Sequence, residues 1–207
     1  MGTIVMSELL GRLFKKAKSA AVRLRDEESG VAAIEFAFIA PLLITIWLGT
    51  MEISQGIEVN KKVGRSASMI ADLVTQHEFV TNVQLEDILK IGAAVLQPYQ
   101  RDAPTITVSE IHIDAALNAT VVWSRRGNEN SFSRPFAPGA SAVVPTALKI
   151  ADTYLVKVET QLEYIPITSW SIARNKTGPN GAFASVNMVE TYYNRPRVSE
   201  TVSCTGC

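Results

Sequence analysis

The chain has 207 residues, 20 Lys or Arg against 20 Asp or Glu, and only two cysteines. After Ile53 the 14 Lys or Arg and 14 Asp or Glu balance with no dense basic stripe, so no nucleic-acid partner is expected, and two cysteines exclude a disulfide framework. The length leaves room for one membrane segment and one extramembrane domain of roughly 150 residues, large enough to bury a core.

Residues 1–30 read as a basic leader. Arg12, Lys15, Lys16, Lys18, Arg23 and Arg25 are interleaved with Leu9, Leu10, Leu13, Ala17, Ala20 and Leu24. That spacing fits an amphipathic helix on an anionic membrane surface, and fits equally a frayed leader that carries orienting charge.

From Phe36 to Met51 no charged residue occurs. Counted from Val31, about 21 residues at ~1.5 Å of rise match the ~30 Å hydrocarbon core. Residues 31–53 are therefore the expected transmembrane helix. A secretory signal would also combine basic and apolar regions, but this run starts late, is long, and ends at Gly49-Thr50-Met51-Glu52-Ile53 without a small-x-small cleavage pattern. A core helix of a soluble domain is the remaining alternative. Six cations precede the span, whereas only Lys61, Lys62 and Arg65 closely follow it, so the N-terminus is expected in the cytoplasm and residues 54–207 outside.

Past the span, Ile53, Ile57, Asn60, Gly64, Ala67, Ala71 and Val74 recur at steps of four and three. They predict that the helix continues to about Gln76 with one seam of small residues, packing either against another helix or on the domain's own sheet. A second helix is expected after Thr81 or Asn82 as N-cap, running toward Pro98. Strands follow. Thr105 to Ile113 and Ala119 to Ser124 alternate in period two around a turn near Ala116–Asn118, and Arg125 to Ser141 is turn-rich. A short helix is expected within 143–150. Asp152 to Ile165 is the strongest strand, with Tyr154, Val156, Val158, Thr160, Leu162 and Tyr164 on one face; a loop over 174–182 and a last strand over 185–193 complete the chain. The expected class is α+β: a long helix, a shorter one, and an antiparallel sheet of about four strands, closed by a flexible C-terminal tail.

Chemistry is sparse. His77 and His112 have no partners at metal or catalytic spacing, and no nucleophile elbow, phosphate loop or zinc-protease helix occurs. Neither an enzyme nor a cofactor or metal is expected. Cys204-x-x-Cys207 reads as a terminal disulfide outside the cytoplasm or as two thiols in a tail. The sharpest signal is Glu35, a carboxylate about one turn inside the span, where an ionisable group is costly and points to function.

Gly30, four residues, then Glu35 and Phe36 resembles the processing site of type IV pilin-like precursors. The longer run Asp26-Glu27-Glu28-Ser29-Gly30-Val31-Ala32-Ala33-Ile34-Glu35-Phe36-Ala37-Phe38-Ile39-Ala40-Pro41-Leu42-Leu43, with Gly49 and Glu52, resembles the N-terminal signature of TadE-like proteins. The resemblance implies a pseudopilin or minor pilin of the bacterial tight-adherence (Flp) pilus system. It implies cleavage by a prepilin peptidase between Gly30 and Val31, subunit assembly through Glu35 and Phe36, and an inner-membrane location. The implied partners are the membrane, other pilus or pseudopilin subunits and the Tad assembly machinery, with no nucleic acid. The acidic Asp26-Glu27-Glu28 departs from the basic residues that precede the glycine in ordinary type IV precursors. An uncleaved single-pass protein whose outward domain binds a ligand or surface, as an adhesin or sensor, is the alternative.

Overall fold

The computed structural model describes residues 29–99, 102–128, 131–166 and 185–207. The expected leader helix and the 174–182 loop lie outside these. Two compact units divide at Met51/Glu52. The first contributes the apolar half of a single 47-residue helix, α1 (Ser29–Thr75). The second contains the remaining half of α1, β1 (Phe79–Thr81), α2 (Asn82–Ala94), β2 (Thr105–Ile113), β3 (Ala119–Gly127), β4 (Phe132–Ser133), a 3-10 turn (Thr146–Leu148), β5 (Thr153–Tyr164), β6 (Val186–Asn194) and β7 (Ser203–Thr205).

The class is α+β, with a sheet of five strands in the order β4-β3-β2-β5-β6, every pairing antiparallel. The four expected strands are all present. The fifth, β4, comes from the segment expected as loop, because β3 runs on through Arg125, Arg126 and Gly127 and turns back to pair with Phe132 and Ser133. The arginines hold that extension: Arg125 is ion-paired with Glu86 of α2, and Arg126 Nε donates to Thr107 Oγ1 at 3.0 Å. Between Glu110 and Ile111 the β2–β3 register slips by one residue, so Val122 is a bulge. The helix expected over 143–150 is shorter, confined to Thr146–Leu148 after Pro145.

One sheet face is covered by the C-terminal half of α1 and by α2. Ile106, Val108, Trp123, Val156 and Val158 meet Ala67, Ile70, Ala71, Val74, Leu85, Ile88 and Leu89 in the main core. Val59, Val63, Leu96, Leu162 and Tyr164 extend it. Beyond the bulge the opposite face is apolar as well, and Ile111, Ile113 and Leu155 pack under Ala119 and Val144 in a third cluster. In β5 the expected face is buried from Val156 to Tyr164, while Lys157, Glu159 and Glu163 are half-exposed and Gln161 is exposed.

The seam of α1 is correct at its C-terminal end, where Ala67, Ala71 and Val74 are buried, and wrong at the other. Ile53, Ile57 and Asn60 are exposed, and Val59, Val63 and Ile70 are the buried residues. The cause is geometric. A straight helix drifts by ~20° per heptad relative to a 3.5-residue repeat, so over two to three heptads the packed face moves off the predicted line.

α2 begins as the sequence predicts. Thr81 is the N-cap, its Oγ1 accepts from Gln84 N, and Gln84 Oε1 accepts from Thr81 N, a reciprocal capping box. The C-terminal segment, expected as a tail, pairs in parallel: Phe79, Val80 and Thr81 stand opposite Ser203, Cys204 and Thr205.

Candidate functional site

From Gly30 to Met51 the chain is helical and almost wholly exposed. Its twelve large apolar side chains, from Val31 to Met51, are 42–79% exposed. This separates the anchor from the core-helix alternative, because a soluble domain's core helix buries its apolar residues. Among the described residues, α1 is the one helix long and apolar enough to cross a membrane. Gly49-Thr50-Met51-Glu52-Ile53, where a removed signal would have to end, lies inside it without a break. The expected geometry is met, since Gly30 to Met51 rises about 33 Å at ~1.5 Å per residue.

The polar groups of this segment suit hydrocarbon. Thr45 Oγ1 donates to Pro41 O at 2.8 Å and Thr50 Oγ1 to Ile46 O at 2.9 Å, so both hydroxyls are satisfied within the helix itself. Pro41 lacks an N–H, but the helix continues through it.

Gly30 lies in the first turn of α1, and a Cβ added there would meet nothing within 4 Å. Close packing therefore does not demand glycine at this position. Val31, Glu35 and Phe36 are all exposed, Phe36 at 69%. Among the described residues Glu35 has no hydrogen bond or ion pair, and it is the sole charged residue between Gly30 and Met51. It stands about one turn inside the apolar stretch, a carboxylate on a surface otherwise built for lipid or for a neighbouring helix.

The other residues singled out from sequence lie elsewhere. Cys204 and Cys207 are joined as a disulfide at the end of the domain, with Cys207 buried against the main core. His77 follows α1 and is exposed, its N–H donating to Val74 O. His112 lies on β2 against Tyr154, ring centroids 4.6 Å apart. Among the described residues no group of three or more His, Cys, Asp or Glu could hold a metal.

Sequence reasoning missed Glu110. It is fully buried on β2, Oε1 accepting from Thr201 Oγ1 at 2.8 Å and from Val202 N at 2.6 Å, while Oε2 has no partner. The signal was available. Ile106, Val108 and Glu110 share one parity of an alternating strand, which places the carboxylate on the apolar face.

Among the described residues, one exposed apolar helix long enough to cross a membrane precedes a folded α+β domain, the pattern of a single-pass membrane anchor. Residues 30–72, nearly the whole of α1, match the family model for TadE-like protein. No curated protein and no solved structure matches the chain.

Proposed function

We propose that this chain is a pseudopilin or minor-pilin subunit of tight-adherence pilus biogenesis, a structural and non-catalytic component of the bacterial inner membrane. The observation that carries the reading is the exposed, charge-poor helix entered through Gly30 and Glu35-Phe36, inside a TadE-like match that starts at Gly30 itself. Helix first turns lack internal partners for their N–H groups and fray most cheaply, so the Gly30–Val31 bond stands where a peptidase gains access at least cost. Cutting there would leave Val31 with a free amine at the membrane surface. The Glu35 carboxylate of a neighbouring subunit would neutralise it, fixing the register between helices in a low-dielectric setting. The cations of the leader set the N-terminus in the cytoplasm and the domain in the periplasm.

Asp26-Glu27-Glu28 before Gly30 favours a second reading, an uncleaved bitopic protein whose outward domain binds a ligand or surface. N-terminal sequencing of the membrane-bound protein, from cells with and without prepilin peptidase, separates the two. A start at Val31 only when the peptidase is present supports the pseudopilin; an intact leader in both strains overturns processing.

A further inference from the structure

The last eleven residues are fastened at several points onto the domain. Arg197 N donates to Thr75 O at 3.0 Å, and its guanidinium pairs with Asp72 at 2.6 Å. Trp123 Nε1 donates to Val202 O at 2.7 Å, Ser203 N to Glu78 O at 3.1 Å, and Asn82 Nδ2 to Gly206 O at 2.6 Å. Val202 is fully buried. Most of these contacts are neutral hydrogen bonds, and Asp72–Arg197 is an exposed ion pair of the kind that contributes little. One fastening differs: Val202 N–H and Thr201 O–H both donate to Glu110, an ionisable group with no exposed surface.

We propose that residues 197–207 form a proton-linked latch, docked most tightly while Glu110 is neutral and loosened as Glu110 ionises. The geometry supplies the reason. Both donors converge on Oε1, and Oε2 is buried with no partner. A bare buried O–H is less costly than a bare buried O⁻, so the closed latch favours the acid and an opened latch, in which water reaches both oxygens, favours the carboxylate. The neighbours do not offset this. Trp123 on β3 and Val156 on β5 stand opposite Glu110 and do not titrate near neutrality; on the latch Thr201 and Val202 are neutral and Glu200 is exposed; on α1 Asp72 is engaged by Arg197. His112, two residues along β2, also bears on Glu110.

Burial pushes the Glu110 carboxyl above its ordinary 4.5, against the hydrogen bonds from Val202 and Thr201 and the nearness of the Trp123 indole and of His112, which pull it down. The sign follows. Below pH 4.5 both closed and open forms are protonated and the latch has its full stability. As pH rises through the interval up to the raised closed-state value, opening releases a proton and becomes easier, by at most about tenfold per pH unit for one linked proton.

Hydrogen exchange on the full chain in detergent or bilayer, read at Val202 and Ser203 between pH 5 and 8 and corrected for the intrinsic rate, tests this. The expected result is protection that falls severalfold with rising pH in the wild type and stays level in Glu110→Gln. Level protection in the wild type, or an unchanged slope in Glu110→Gln, overturns the latch. If Glu110→Gln does not fold, His112→Gln replaces it: a retained slope supports Glu110 as the titrating group, and an abolished slope overturns it.

Discussion

Gly92 lies against Ile70 so closely that no side chain fits between them. A Cβ on Gly92 would stand 2.1 Å from Ile70 Cδ1 and 2.6 Å from Cγ1, and the buried Ser66 hydroxyl donates to Gly92 O at 2.8 Å. A glycine inside a helix costs roughly 1 kcal/mol relative to alanine, so its presence in α2 reflects the approach of α1, on which Ser66 and Ile70 lie. Gly92→Ala should therefore destabilise the domain although alanine is the better helix former. Overpacking costs ~1–3 kcal/mol and outweighs the propensity gain at all but its lower limit. A thermal melt read by circular dichroism should show a midpoint several degrees lower; an unchanged or raised midpoint would mean that Ile70 moves aside freely.

The β2–β3 turn carries two opposed features. Leu117 has φ 63°, a left-handed conformation that a leucine adopts at a cost, whereas Asn adopts it readily. Leu117 is 43% exposed, so little packing is lost on replacing it. Leu117→Asn should raise stability by about 0.5–1 kcal/mol, checked by chemical denaturation.

Beside it, Asp114 accepts from the Asn118 side chain at 3.0 Å and from Asn118 N at 2.8 Å, and these bonds hold its carboxyl below the ordinary 3.8. A depressed folded-state value means that the turn's stabilisation is fully present above pH 3.8 and is lost as pH falls through the lower folded value. In Asp114→Asn that acid-side loss should disappear. Amide protection at Asn118 across the acid range would show it, and an identical acid profile in the variant would remove the carboxylate from the explanation.

The capping box of α2 is a third test. Thr81→Ala removes the acceptor for Gln84 N and leaves an N-terminal donor unsatisfied, at a cost of about 1 kcal/mol. Gln84→Ala removes only the reciprocal arm and should cost less. Urea denaturation of the two single variants, with unchanged slopes, ranks them; equal losses would show that the arms are not separable.

Legibility in the sequence followed the length of the pattern. β5 was readable because twelve residues alternate, and α2 because Thr81 and Gln84 stand at cap spacing before an apolar run. β4 could not be read from two residues. It exists because Gly127 lets Phe132 fold back to where a Cβ would lie 2.6 Å from its ring, a contact between residues that carry no periodicity. The latch is similarly silent, since Ser203-Cys204-Thr205 alternates too briefly and its partner β1 lies more than a hundred residues earlier. At the candidate site the converse held. Gly30, Glu35 and the charge-free run are local in sequence, and the structure adds their exposure.

Glu35 gives the most direct test of assembly. It is exposed on an apolar helix, and among the described residues it has no partner that its removal would disturb. Glu35→Ala should leave the protein in the membrane fraction at wild-type abundance. Insertion would even be eased, because a carboxylate costs up to ~2.5–3.5 kcal/mol at the bilayer centre and somewhat less near the boundary. If subunits pair as proposed, the same change would strip the partner from the Val31 amine, and breaking one side of a buried pair costs about 3–5 kcal/mol per contact. Repeated along a filament, that is enough to abolish assembly while each subunit folds normally. Glu35→Gln keeps shape and hydrogen-bonding capacity but not charge, and should fail nearly as completely if neutralisation is the role. Surface filaments counted by electron microscopy, with membrane abundance by immunoblot, check both variants. Normal piliation in Glu35→Ala would eliminate the pairing, and rescue by Gln would replace charge neutralisation with hydrogen bonding.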